Sequence, residues 1–381
     1  MTNQMFRTIR FEIKKIFTKS TLVLLLILLF ANAINIAVNY NQTSDEIYER
    51  GYSSIYNHVK GTITNDKISF ITKKLEKMTN LVNENKYDSK EVDDNTYTGY
   101  VYGDMSVFQD IYNEMYAAVL YNKSISEKLN IIEENISNAK QKSSKAVYEE
   151  LKDRMSNRVI SKYYNTRGME AYLDYNFSTI LIILLVITCV IQLYTIDRKN
   201  EMVLLIGTTK KYYKQYTKGK LLSVFFIIFF SVIFFRLIDY MIFKQFNYVE
   251  GFLNPLYSLP YFNFTYSNVT IIGYLLIDTI YKILIIYFFA LIIIILSKFV
   301  KKSFILVGIS VLLIFCLLNL EYYFYFPIAL LQSKIIFQTG KLITFLNVIV
   351  NMPIIQIIFI IIMVSIFGLI ILKFFERRVK L

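Results

Sequence analysis

Tryptophan is absent from this 381-residue chain, and histidine occurs once, at His58. Cysteine occurs twice, at Cys189 and Cys316, and both stand inside apolar runs. The polar part of the chain therefore has no disulfide framework, and no Cys/His cluster is available to hold a metal. Only 4 Pro and 12 Gly interrupt the sequence, so long helices meet few breakers. A phosphate-binding Gly-x-x-x-x-Gly-Lys-Ser/Thr loop is missing. Gly219-Lys220-Leu221 and Gly340-Lys341-Leu342 lack both the leading glycine and the hydroxyl residue. The chain reads as a non-enzyme with no cofactor of its own. The lone His58 reads as a surface residue.

What the sequence has in abundance is apolar residues, 55% of the total, gathered in long blocks rather than dispersed. A bilayer core of about 30 Å is crossed by about 20 apolar residues in a helix. Six blocks qualify: Thr21–Val38, Phe177–Ile196, Leu221–Phe243, Thr270–Leu296, Ser303–Leu320 and Pro353–Lys373. Backbone amides have no partner in hydrocarbon, so each block is expected to be helical. The fold class is an all-α membrane protein.

The net charge of +13 is unevenly spread. Residues 42–176 hold 18 basic and 21 acidic side chains, whereas the remainder holds 24 and 8. The basic clusters flank apolar blocks, which argues against nucleic acid as a partner. Arg7, Arg10, Lys14, Lys15 and Lys19 precede the first block. Lys and Arg then recur between the second and third blocks, between the fourth and fifth, and after the sixth, nineteen in all on one side. The opposite short loops hold only Lys244, Lys334 and Lys341. The positive-inside rule places both termini in the cytoplasm and residues 40–176 outside. Ala31-Asn32-Ala33 offers a rival reading as a signal-peptidase site, but the apolar run continues through Ile34, Ile36, Ala37 and Val38.

Three parts follow. Residues 1–39 hold an amphipathic interfacial helix over Met5–Phe17, with Phe6, Ile9, Ile13, Ile16 and Phe17 on one face, and then the first span. Residues 40–176 form a mostly helical extracellular domain. Its helical spacing runs over Ile63–Val82, Met105–Leu120, Ile125–Ile136 and Ala146–Ile160, with connectors at Tyr87–Asn95 and Gly99–Gly103. Residues 177–381 hold the other five spans, a basic cytoplasmic loop at 197–220, and a broken stretch at 321–352. In that stretch Tyr322–Ile336 and Leu342–Val350 are expected as re-entrant half-helices.

The loop 197–220 reads DRKNEMVLLIGTTKKYYKQYTKGK. A short helix here would present Met202, Leu205 and Ile206 on one face beneath the membrane, suited to a groove on a soluble partner. The alternative is an ordinary basic loop on anionic lipid. Asp197-Arg198-Lys199-Asn200, then Leu204-Leu205, Thr208-Thr209-Lys210 and Lys218/Lys220 resemble the corresponding run in permease subunits of type-2 ABC exporters, the ABC-2 family. The layout of spans around an outer insertion is similar too. The resemblance implies a coupling helix carrying Asp197, Glu201, Leu204, Leu205, Gly207, Thr208 and Thr209 that docks on separate ATPase subunits. ATP and Mg would sit on those subunits. A second permease copy, membrane lipid and a peptide, antibiotic or lipid-like amphiphile are the other implied partners, in a bacterial plasma membrane. The competing readings are an ATPase-linked mechanotransmitter and a membrane receptor working through the outer domain.

Ionisable residues within spans cost about 2.5–3.5 kcal/mol each on insertion scales. Arg236 and Asp239 lie one turn apart in the third span, and Asp278 and Lys282 one turn apart in the fourth. The spans run antiparallel with both pairs at similar depth. Cross-helix pairing of Arg236 with Asp278 and of Asp239 with Lys282 is expected.

Overall fold

A computed structural model describes residues 3–40, 46–84, 97–98, 100–139, 141–199, 210–246, 249–300, 302–319, 333–338, 342–345 and 348–377. The described residues are almost wholly helical. Among the described residues, five helical stretches are long and apolar enough to cross a membrane: Lys19–Asn39, Thr166–Ile196, Lys214–Gln245, Ile271–Phe299 and Pro353–Lys373. The block expected as a fifth span forms a helix of 17 residues, Ser303–Asn319, shorter than these five. This is an all-α membrane-embedded protein.

The first helix, α1 (Asn3–Ile16), is separate from α2 (Lys19–Asn39). The break is made by Thr18, whose extended backbone lets its hydroxyl accept the Thr21 amide at 3.3 Å. The apolar face of α1 is divided. Ile9 and Ile16 are buried with Glu12, while Phe6 and Phe17 of the expected stripe point outward together with Phe11. The buried side of α1 lies against α9 (Lys210–Phe246). Gly219 of α9 makes that approach possible, because a Cβ there would stand 2.7 Å from Thr8 Cγ2.

The centre of the bundle is α8 (Phe177–Lys199) and α10 (Ile271–Phe299). Both are apolar around most of their circumference, which is what a helix enclosed by other helices requires. Val186, Val190 and Leu193 of α8 and Ile286, Ala290 and Ile294 of α10 are all buried. Around them stand α2, α9, α11 (Ser303–Asn319) and α13 (Met352–Arg377). Residues such as Leu26 and Phe30 of α2, and Ile358 and Leu369 of α13, face outward. The Tyr281 hydroxyl donates to the Pro353 carbonyl, tying α10 to the first turn of α13. Proline is tolerated there because a first-turn amide has no helical acceptor.

The chain between the first two spans builds a polar lobe with two apolar centres. The first gathers Ile55, Tyr56 and Val59 of α3 (Glu46–Val59), Ile71 of α4 (Asn65–Asn83), and Val107, Phe108 and Ile111 of α5 (Val101–Asn138). The second gathers Tyr121, Ile125 and Ile132 of α5 with Leu151 and Met155 of α6 (Lys142–Ser156). The two stretches expected as separate helices over Met105–Leu120 and Ile125–Ile136 are thus one helix of 38 residues. No Gly or Pro stands between them, and Ser124 and Ser126 satisfy their hydroxyls on carbonyls three residues back. Gly103, expected in a connector, lies in the first turn of α5 and packs against Thr98. Buried Asp104 accepts the Tyr97 and Thr98 amides at 3.1 and 2.6 Å, an arrangement favoured at a helix N-terminus. The connector expected at Tyr87–Asn95 lies outside the described residues. A two-residue strand β1 (Gly61–Thr62) pairs antiparallel with β2 (Lys162–Tyr163), closing the lobe on itself before α7 (Thr166–Asp174) leads into α8.

A further expectation is overturned. Leu342–Val350 is not a half-helix: β3 (Leu342–Phe345) and β4 (Val348–Asn351) form an antiparallel hairpin, Leu342 opposite Asn351 and Phe345 opposite Val348. The β-branched run Val348-Ile349-Val350 favours extended backbone. Leu342 packs into the second centre of the lobe beside α6. Of the preceding stretch, residues 320–332 lie outside the described residues, and a short helix α12 covers Ser333–Gln338. There Phe337 is buried edge-on against Tyr274, 5.0 Å between ring centres, and Lys334 pairs with Asp174 at 2.6 Å.

Candidate functional site

Three helices and the bend between α7 and α8 bring polar side chains together at the end of the bundle that carries the lobe. Arg236 of α9 forms an ion pair with Asp278 of α10, and both side chains are nearly excluded from solvent. Lys282, one turn further along α10, approaches the same Asp278 carboxylate at 3.1 Å. Lys282 also donates to the Asn176 side-chain oxygen at 3.1 Å, where the chain bends between α7 and α8. Asp278 therefore sits between two cations, one on each helix.

Asp239 does not pair with Lys282. Its Oδ1 accepts the Asn32 amide of α2 at 2.6 Å, and Asn32 in turn accepts the Tyr175 hydroxyl at 2.7 Å. The reason is reach: Lys282 is already held by Asp278 on its own helix and by Asn176. The cluster contains two acids and two bases, so its formal charge cancels. Asn32 and Asp239 are both essentially unexposed. In such surroundings a partnered polar group is sustained, whereas one left alone would cost several kcal/mol. The Asp239 Oδ2 and the Arg236 Nε have no hydrogen-bond partner among the described residues.

Sequence reasoning identified the four charges but not Asn32, Tyr175 and Asn176. A signal for Asn32 existed, since an amide in the middle of an apolar span is costly in hydrocarbon.

A second polar contact lies at the opposite end of the bundle. Lys220, expected in the basic loop, is buried; it donates to the Leu193 carbonyl at 3.2 Å and covers the Tyr194 ring at 4.4 Å. Buried Glu12 of α1 pairs with Lys15 at 2.9 Å, and Ser223 donates to the Gly219 carbonyl at 2.9 Å. α1 packs against both α8 and α9, meeting α9 at Gly219. Of the expected coupling residues, the Asp197 side chain and all of Glu201, Leu204, Leu205, Gly207, Thr208 and Thr209 lie outside the described residues. Among the described residues, no group of three or more His, Cys, Asp or Glu could hold a metal ion.

The helices and the buried ionic cluster define a membrane-embedded helical protein with a polar lobe. No family model matches this chain, and a search of curated proteins found no match.

Proposed function

We propose that this chain is the permease subunit of an ATP-driven exporter of the ABC-2 style, working with separate ATPase subunits and a second permease copy. In this reading six helices span a bacterial plasma membrane, with α11 as the short one. Both termini are cytoplasmic and the α3–α6 lobe is extracellular. The cargo is a peptide, antibiotic or lipid-like amphiphile moved outward.

The observation that carries the reading is the one-sided crowding of Lys and Arg around the bundle, opposite the polar lobe. The packing of α1 supports it. Residues 200–209 join the two helices that α1 holds, so a force applied there by an ATPase would enter the bundle through α8 and α9 directly. The alternative of a mechanotransmitter calls for a long stiff stalk. The lobe instead folds α5 against α3, α4 and α6 around two apolar centres, which favours the exporter.

The test has two parts. Cysteines introduced singly at exposed lobe positions and at Lys210 are labelled with a membrane-impermeant maleimide in intact cells; the lobe should label and Lys210 should not. The purified chain should carry a P-loop ATPase with it, and Leu204→Asp with Leu205→Asp should abolish that association. Labelling of Lys210 from outside, or undiminished association in the double variant, would refute the proposal.

A further inference from the structure

Beneath the lobe, where it meets the bundle, lies a cavity of about 300 Å³. One wall is a single face of α5, with Glu114, Ala118 and Tyr121 at helical spacing and Ala117 at the exposed rim. The facing walls are the start of α7, with Arg167 and Glu170, and the crossover between α9 and α10, with Glu250. Hydrogen bonds fix these walls relative to one another. The Tyr56 hydroxyl donates to Glu250 at 3.2 Å and accepts the Asn165 amide at 3.3 Å, while Asn165 caps α7 by accepting the Gly168 amide at 2.9 Å. Gly251 turns the crossover with φ of 82°, and a Cβ there would lie 3.0 Å from the Tyr164 ring. The cavity is preformed, as ligand sites usually are.

Its chemistry is an excess of acceptors. Glu114 has a side chain only 7% exposed. Its Oε2 accepts the Tyr163 hydroxyl at 2.9 Å, but its Oε1 accepts no hydrogen bond among the described residues. The Arg167 Nε stands 3.2 Å from that oxygen, yet the guanidinium is more than half exposed and gives its hydrogen bond to Asp110 at 2.9 Å. Glu170 accepts the Tyr261 backbone amide at 2.9 Å and forms no ion pair among the described residues. Glu250 holds Lys60 at 3.4 Å. Lys162 also lines the cavity but is exposed. Burial pushes the Glu114 carboxyl up to about 7, against the Tyr163 hydroxyl and Arg167, which pull it down.

The geometry points to a binding site for the ammonium group of an amine-bearing amphiphile, held between Glu114 and Glu170 with Tyr121 and Tyr164 beside it. An ammonium supplies a donor to the Glu114 Oε1, which accepts no hydrogen bond among the described residues, and a charge to Glu170, and aromatic faces attract cations further. A cavity of about 300 Å³ lies at the lower end of ligand-site volumes, so it holds a head group and a few carbons. This deepens the exporter reading by naming a cargo chemistry, but binding is measured on the permease alone.

The experiment titrates the full chain, in a nonionic detergent at pH 8, with hexylamine, hexan-1-ol and hexanoate by calorimetry. Hexylamine should saturate and the other two should not. Glu170→Gln should weaken hexylamine binding by about tenfold or more, since a charge-assisted contact exceeds about 1.4 kcal/mol, and Ala117→Trp, whose ring would fill the rim, should weaken it comparably. Glu150→Gln, on α6, should leave it unchanged. Glu114→Gln should weaken it likewise, and a thermal melt shows whether that variant folds; if it does not, Glu170→Gln and Ala117→Trp decide. Equal binding of hexan-1-ol, or full affinity in both of those variants, would overturn the site. Failure of the ATPase association with amine binding intact would overturn the exporter reading alone.

Discussion

The Asn32 amide, in the middle of an apolar helix, donates to the Asp239 carboxylate at 2.6 Å. Because Asn32 also accepts the Tyr175 hydroxyl at 2.7 Å, this one side chain joins α2, the approach to α8, and α9. Replacing it strips partners from two buried groups at once. Asn32→Leu should lower the thermal stability of the detergent-purified chain by about 1–3 kcal/mol, the cost of leaving a buried acceptor unsatisfied. A melting curve indistinguishable from the parent would contradict the tie.

Arg236 and Asp278 predict a compensating pair. Asp278→Ala alone should cost about 3–5 kcal/mol, because it leaves buried cations without an anion. Exchange of the two residues, Arg236→Asp with Asp278→Arg, should recover only part of that loss. Lys282 would then face a like charge one turn away, and Lys282→Met added to the exchange should recover more. A double-mutant cycle measured by unfolding would show a coupling of zero if the two side chains do not interact.

Gly219 predicts how tightly α1 is held. A Cβ at this position meets Thr8, and Thr8 is branched at the atom next in line, 3.1 Å away, so it has little room to yield. Gly219→Val should cost about 1–3 kcal/mol through overpacking and release α1. Cleavage by trypsin at Lys14 and Lys15 should accelerate, and unchanged protection would argue against the contact.

Glu114 predicts a slope of stability with pH. Its carboxyl is pushed by burial from 4.5 in the free side chain to about 7. Between those values the folded chain binds more protons than the unfolded one. Stability contributed by the protonated acid is therefore full below pH 4.5, falls as pH rises through 7, and is gone above it. Glu114→Gln should flatten this part of the profile when the two chains are unfolded side by side. Parallel profiles would place the Glu114 carboxyl in an ordinary solvated state.

Helical segments were legible in the sequence wherever apolar length alone decides them, as in α2, α8, α9, α10 and α13. Their ends were less so, because α9 begins at Lys210, well before its apolar part. The hairpin of β3 and β4 escaped because total apolarity dominated the reading of Leu342–Val350, when the β-branched character of Val348, Ile349 and Val350 was the better guide. At the polar cluster, Arg236 and Asp278 could be paired from depth in antiparallel spans. The partner of Asp239 could not be found this way. It lies 207 positions away on a helix whose place beside α9 is set by packing rather than by any local pattern. Glu114 carries no local signal, because the residues that enclose it, Tyr163 and Arg167 and the crossover between α9 and α10, are distant in sequence.

The unbroken course of α5 has a mechanical consequence. At 1.5 Å per residue it is a rod about 57 Å long, and its middle roofs the cavity while its two arms pass through separate apolar centres. With no glycine beyond Gly103 and no proline, it offers no hinge at which one arm could turn without the other. The two apolar centres of the lobe and one wall of the cavity therefore share a single continuous helix.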